Sequence, residues 1–216
     1  FRALFDDSSY NFGLRSRREL VKGRFQGGNI AYVYQDDLEL FSAVYRKKTP
    51  LSFPETKILA LLEQEGPLTI RLIKEFTGLL VKEITPVLHK LQQKFLVFED
   101  QSDNEWDRSW YLFTTEFPHI RLDRYTPQEA MEQILLRFAY LTVCFSLEMA
   151  KNFYKLSGKF LTAALESLCA SHMLVKTELG YIRPEDLPLL EKKQRIPSLV
   201  IPLQRNDSFV KCQEPF

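Results

Sequence analysis

The stretch of this chain that leaves the fewest architectures open is LHKLQQKFLVFEDQSDNEWDRSWYLF, residues 88–113. It runs without a break from an amphipathic helix end into an apolar strand, then a tip of charge and amide. A return strand follows, and Trp106 and Trp110 lie on this arm. A helix that feeds directly into a hairpin needs other elements to cover it, so the preceding residues decide the arrangement. From Glu55, ETKILALLEQEGPLTIRLIKEF places Ile58, Leu59, Leu61 and Leu62 on one helical face. The pattern breaks at Gly66-Pro67 and restarts after Thr69, a residue suited to capping. The restarted helix runs from about Thr69 to Phe76 and stops at Gly78. A third helix carries Ile84, Val87, Leu88 and Leu91, with Pro86 tolerable only near its first turn. Helix, short connection, helix, helix and hairpin is the order of a winged helix, the helix-turn-helix variant whose hairpin is the wing.

The order recurs after the linker FPHIRLDRYT. A Pro-initiated helix follows Thr126 to about Leu141, TVCF is a short β-branched stretch, and a second helix starts at Ser146. A third runs from about Lys159 to His172, and MLVKTELGYIRP makes a hairpin that turns at Gly180. The sequence therefore predicts a mostly helical α+β protein of tandem winged-helix modules with short β-hairpin wings. Residues 55–117 form the first module and 126–187 the second. Residues 1–54 are a partial amino-terminal segment, part loop and part helix, with a basic run; residues 195–216 begin a β-rich carboxy-terminal region. A start at Phe1 and an end on KCQEPF read as a piece of something longer.

Composition narrows the function classes. Lys and Arg total 29 against 28 Asp and Glu, so no protein-wide field announces a polyanionic partner and any cationic surface must be local. Cys144, Cys169 and Cys212 are odd in number and unpaired in spacing, which fits a reduced, cytoplasmic setting. No run approaches the roughly 18 apolar residues of a membrane span, and FRALFDDSSY has no signal-peptide core. His89, His119 and His172 are far apart and none has a cysteine at ligand spacing, so no metal is expected. FQGGNIAY lacks the Lys-Ser/Thr ending of a phosphate loop, which disfavours nucleotide hydrolysis; no cofactor is expected.

The functional reading rests on local cations. In LRSRRELVKGR, residues Arg15, Arg17, Arg18, Lys22 and Arg24 fall within ten positions, interrupted only by Glu19. Such a cluster neutralises phosphates, although a solvated helix face accounts for it equally well. The third helix of the first module adds Lys82, His89, Lys90 and Lys94 as phosphate contacts. Gln92 and Gln93 have the groups to read an adenine edge, though on a helix they are more often ordinary surface. The third helix of the second module, GKFLTAALESLCASH, suits packing better than groove reading. On the wing, Arg108 can reach phosphate, while Asp100, Asp103, Glu105 and Asp107 repel it. Trp106 and Trp110 alternate as residues that cover a core do; the sharper reading is a stacking platform for an extruded base. Asp207 in PLQRND reads as a turn residue.

RREL, AYVYQDDLELF, ILALLEQEGPLT, LHKLQQKFLVFEDQSDNEWDRSWYLF, TPQEAMEQILLRFAYLT and VIPLQRND, in this order, resemble the AlkZ/YcaQ-like DNA glycosylases from about Arg18 onward. The resemblance implies tandem winged helices with a small β-barrel, and DNA repair by hydrolysis of the N-glycosidic bond of alkylated or crosslinked bases; for Asp207 it implies, second to the turn reading, a catalytic carboxylate that stabilises positive charge developing on the sugar. It also implies a Gln-hydrophobic-Gln motif, which this chain lacks: Gln92 and Gln93 are adjacent, and DQSD has a polar centre. The expectation is a monomer that binds duplex DNA, damaged duplexes included, with any glycosylase activity in a longer protein and none in this chain alone. A winged-helix transcriptional regulator and an assembly subunit without DNA contact are the alternatives.

Overall fold

The structure is a computed structural model and describes residues 13–99 and 108–191. The chain divides into two compact units, Phe1–Tyr125 and Thr126–Phe216. Trp106, Asp207, Cys212 and the 195–216 region lie outside the described residues, as do Asp100, Asp103, Glu105 and Asp107.

In the first unit, after a short helical turn over 13–16, an antiparallel ribbon is formed by β1 (Leu20–Gln26) and β2 (Asn29–Tyr34). The ribbon is not part of the loop-and-helix reading of this segment, whose helical part is present at Leu38–Tyr45. Lys22 pairs with Tyr32 and Val21 with Val33, and Gly27 and Gly28 close the turn at positive φ, which glycine adopts without strain. Helix α1 (Leu38–Tyr45) follows. Next come α2 (Phe53–Glu65), β3 (Leu68–Thr69), α3 (Ile70–Thr77) and α4 (Val81–Gln93). Local chemistry sets these limits. Ser52 and Glu55 form a capping box at α2. Thr69 Oγ1 accepts from Leu72 N at 3.3 Å at the start of α3, and Gly78 ends that helix at φ 70°. Because α4 begins at Val81, Pro86 lies past its first turn, contrary to expectation, and removes one helical donor.

β4 (Val97–Glu99) and β5 (Ser109–Leu112) complete a three-stranded sheet ordered β3-β5-β4, and the short helix α5 (Phe113–Glu116) follows. Alternation along these strands separates two cores. Val97 and Trp110 join Ile58, Leu62, Ile73, Ile84, Leu88 and Leu91 in the first. Phe98 belongs to the second, with Phe95, Phe113 and Phe117 against Val21, Phe25, Val33 and Leu38. Phe25 stacks on Phe95 with centroids 4.6 Å apart. The ribbon therefore shares an aromatic core with the residues around the wing.

The second unit repeats this topology. Thr126 and Glu129 box the start of α6 (Pro127–Thr142), which leads into β6 (Cys144–Phe145) and α7 (Leu147–Tyr154), capped by Ser146. α8 (Gly158–Ala170), β7 (Val175–Lys176), β8 (Tyr181–Ile182) and α9 (Leu187–Glu191) follow, with the sheet ordered β6-β8-β7. Met131, Leu135, Phe138, Phe145, Leu161, Leu165 and Ile182 are buried at its centre. Cys144 and Cys169 are free thiols, and burial raises the pKa of each. The protein is thus mostly helical α+β with winged-helix-like order in both units. Among the described residues, no helix is long and apolar enough to cross a membrane.

Candidate nucleic-acid interface

The cations singled out by the sequence lie in the first unit, but the fold treats them unequally. On β1 the inward positions are Val21 and Phe25, so Lys22 and Arg24 point to the outer face. The Arg24 backbone N–H donates to Gln92 Oε1 at 3.1 Å, fixing the ribbon against α4. Arg24 Nη1 also donates to the Gly28 carbonyl at 3.1 Å. Gly28 faces α4 as well: a Cβ there would stand 3.3 Å from Gln93 Nε2. Gln92 is buried and both amides are turned to the ribbon, so the adenine-edge reading gives way to a structural one.

Ribbon, helix and wing together enclose a small cleft of about 40 Å³, lined by Lys22, Arg24, His89, Gln92, Glu99 and Trp110 among others. The His89 and Trp110 rings are 6.4 Å apart, centroid to centroid. Burial, and then the Arg24 charge, hold the His89 pKa below its usual value. A phosphate placed beside Arg24 would oppose the second effect and favour the imidazolium. Glu99 carries the negative charge on this rim and faces Arg108 at 3.6 Å. Trp110 is buried, and its Nε1–H has no hydrogen-bond acceptor among the described residues. Its ring belongs to the first core, which agrees with the core-covering reading and not with the sharper one of an open stacking platform.

The cationic run also breaks up. Arg15 is buried, with its guanidinium 5.9 Å from the Tyr32 ring centroid. Arg17 is exposed and bonds to Glu19 at 2.5 Å. Arg18 pairs with Glu116 and lies over Tyr111, 4.7 Å from the ring centroid. These three do not form a continuous phosphate-binding strip, because the aromatic core and local carboxylates draw them in separate directions. Lys94 is corrected outright. It is buried, its Nζ is 2.8 Å from Glu55 Oε1, and it donates to the Pro50 carbonyl at 3.0 Å. Lys82 and Lys90 remain exposed on α4. No group of His, Cys, Asp or Glu suited to a metal ion gathers among the described residues.

Gln92→Ala is expected to destabilise the first unit by about 1–3 kcal/mol, because it leaves the Arg24 N–H without its acceptor. Urea denaturation followed by tryptophan emission measures the cost. An unchanged midpoint would show that the bond does not anchor the ribbon.

The class these elements define is a winged-helix-like α+β fold with a cation-lined cleft between ribbon and third helix. Among solved structures, the fold is similar to one titled Streptomyces sahachiroi DNA glycosylase AlkZ, with a TM-score of 0.62 and 13% sequence identity over 88% of this chain. The chain spans 59% of the length of that structure. Its sequence matches no protein-family model and no curated protein at significance.

Proposed function

We propose that this chain is the DNA-binding part of a DNA-repair protein related to glycosylases that remove alkylated or crosslinked bases. Residues 55–117 and 126–187 are its two winged-helix modules, and it acts on duplex DNA as a monomer. The observation that carries this reading is the convergence of Lys22 and Arg24 on β1 with His89 on α4 around one cleft. The fold's similarity to a DNA glycosylase supplies the repair context. Lys82 and Lys90 extend the cationic surface along α4, and Arg108 adds charge from the wing. Arg17 contributes from the exposed end of the basic run. No hydrolytic residue is assigned, because the Gln-hydrophobic-Gln triplet does not occur between Phe1 and Phe216.

Replacing Lys82 and Lys90 with Ala should weaken binding to unrelated duplexes by similar factors. It should also flatten the log-log salt dependence by about 0.9 for each lost phosphate contact. Fluorescence anisotropy against salt tests this. Unchanged affinity and slope would refute the interface, and strong preference for one sequence would favour the regulator reading.

A further inference from the structure

We infer that the outer face of the β1–β2 ribbon is a second nucleic-acid site, one that takes the unstacked bases of a single strand. The inference goes beyond duplex binding but rests on the reading that this unit contacts DNA. Along β2, Ile30, Tyr32 and Tyr34 point outward and are 56%, 49% and 51% exposed, while Val33 between them is buried. Three large apolar side chains in a row on one open face are more than the ribbon's own core requires, since that core is made by the opposite face.

The chemistry of this row identifies its ligand. Lys22 is the direct cross-strand partner of Tyr32, and its Nζ is 5.9 Å from the Tyr32 ring centroid. The buried Arg15 guanidinium, at the same distance from that ring, supports it from within. An aromatic surface beside an outward-facing cation, here Lys22, can stack a base while the charge faces a neighbouring phosphate. Ile30 and Lys22 also border the cleft between ribbon and α4, so the row continues the proposed interface.

Spacing separates single strand from duplex. Tyr32 and Tyr34 are two residues apart on one strand, about 6.8 Å along the backbone. Successive nucleotides of one duplex strand rise about 3.4 Å, half that distance. Neighbouring bases can therefore rest on both rings only if they are drawn apart and unpaired. A protein partner would use the same apolar row, but it would have no need of Lys22 opposite Tyr32. The cationic flank favours the polyanion.

The test compares binding of a fluorescent oligothymidylate of about 10 nucleotides, a length within the range of single-strand sites, with binding of a duplex at equal salt. The full chain is measured as wild type, Y32A/Y34A and Y32F/Y34F. Both positions are half exposed, so the variants should keep the wild-type thermal midpoint. The alanine variant should lose about tenfold or more in single-strand affinity per ring, with duplex affinity unchanged. The phenylalanine variant should bind the single strand like wild type, because the ring is what stacks. Equal loss on both ligands, or no loss on the single strand, overturns the inference. Wild type that binds duplex but no single strand also overturns it, assigns the tyrosine row to a protein partner and leaves the duplex proposal standing. Wild type that binds the single strand but no duplex supports the platform and refutes the duplex proposal.

Discussion

Lys94→Met is expected to cost the first unit about 3–5 kcal/mol at neutral pH, because it leaves the Glu55 carboxylate buried without its counter-charge. Glu55 Oε2 accepts from Ser52 N at 2.6 Å and from Ser52 Oγ at 2.7 Å, while Oε1 is left to the Lys94 ammonium. Burial pushes the carboxyl pKa up. The Lys94 and Ser52 hydrogen bonds and the Lys94 charge outweigh that effect and hold it below its ordinary 4.5. A depressed folded-state pKa means that the group stabilises the fold above its unfolded value, and that this contribution is lost as pH falls through the folded value. In Lys94→Met the Lys94 hydrogen bond and charge are gone while burial remains, so the pKa rises from its wild-type position and acidification relieves the variant. The gap between variant and wild type should therefore be widest near neutrality and shrink as pH falls from the variant's raised pKa towards the wild type's lowered one. Changing Glu55 to Gln in the same chain should recover much of the loss, since an amide carries no buried charge. Urea midpoints at two pH values measure this. A cost that does not vary with pH would mean that Lys94 acts by packing alone.

Gly180→Ala is expected to be the most damaging small substitution in the second unit, at about 3 kcal/mol or more. Gly180 has φ 140°, and an added Cβ would lie 2.3 Å from the Phe145 carbonyl oxygen and 2.8 Å from its carbon. Those atoms belong to the backbone of β6, which is paired with β8, so neither neighbour can swing aside. The Gly180 carbonyl also accepts from Thr177 N at 2.7 Å, which fixes the turn from its other side. Gly158→Ala is the matched control, because nothing lies within 4 Å of a Cβ there and the position opens a helix. Circular-dichroism melts of the two variants, with amide exchange over residues 144–182, give the comparison. Equal midpoints would show that the turn shifts to admit the methyl group.

The helices were legible because periodicity and capping agreed. Thr69, Thr126 and Ser146 mark helix starts in the sequence and cap them in the structure, and Gly78 ends the helix it was expected to end. Gly180 was legible as a turn residue; its approach to Phe145 was not, since that depends on how a distant strand passes. The β1–β2 ribbon is hidden in the sequence because Lys22 and Arg24, at its outward positions, belong to a cationic run that also fits a solvated helix face. Lys94 misled for a related reason. A lysine at the end of an amphipathic helix looks like surface until its carboxylate partner, far back at Glu55, folds beneath it. For the candidate site, Lys22, Arg24 and His89 could be named one by one, but only strand pairing and the buried Gln92 reveal that they meet.

The shared aromatic core also affects the time order of synthesis. Arg24 and Gln92, which join the ribbon to α4, are 68 positions apart, and the ring partners of Phe25 lie further on at Phe95 and Phe113. At about 5–20 residues per second, the ribbon emerges from a ribosome on the order of ten seconds before those partners. A two-stranded hairpin is marginal in water by itself, so its apolar face is open to chaperones and to misplaced contacts throughout that interval. The ribbon must wait for partners made after it, and the delay is written into the order of the chain.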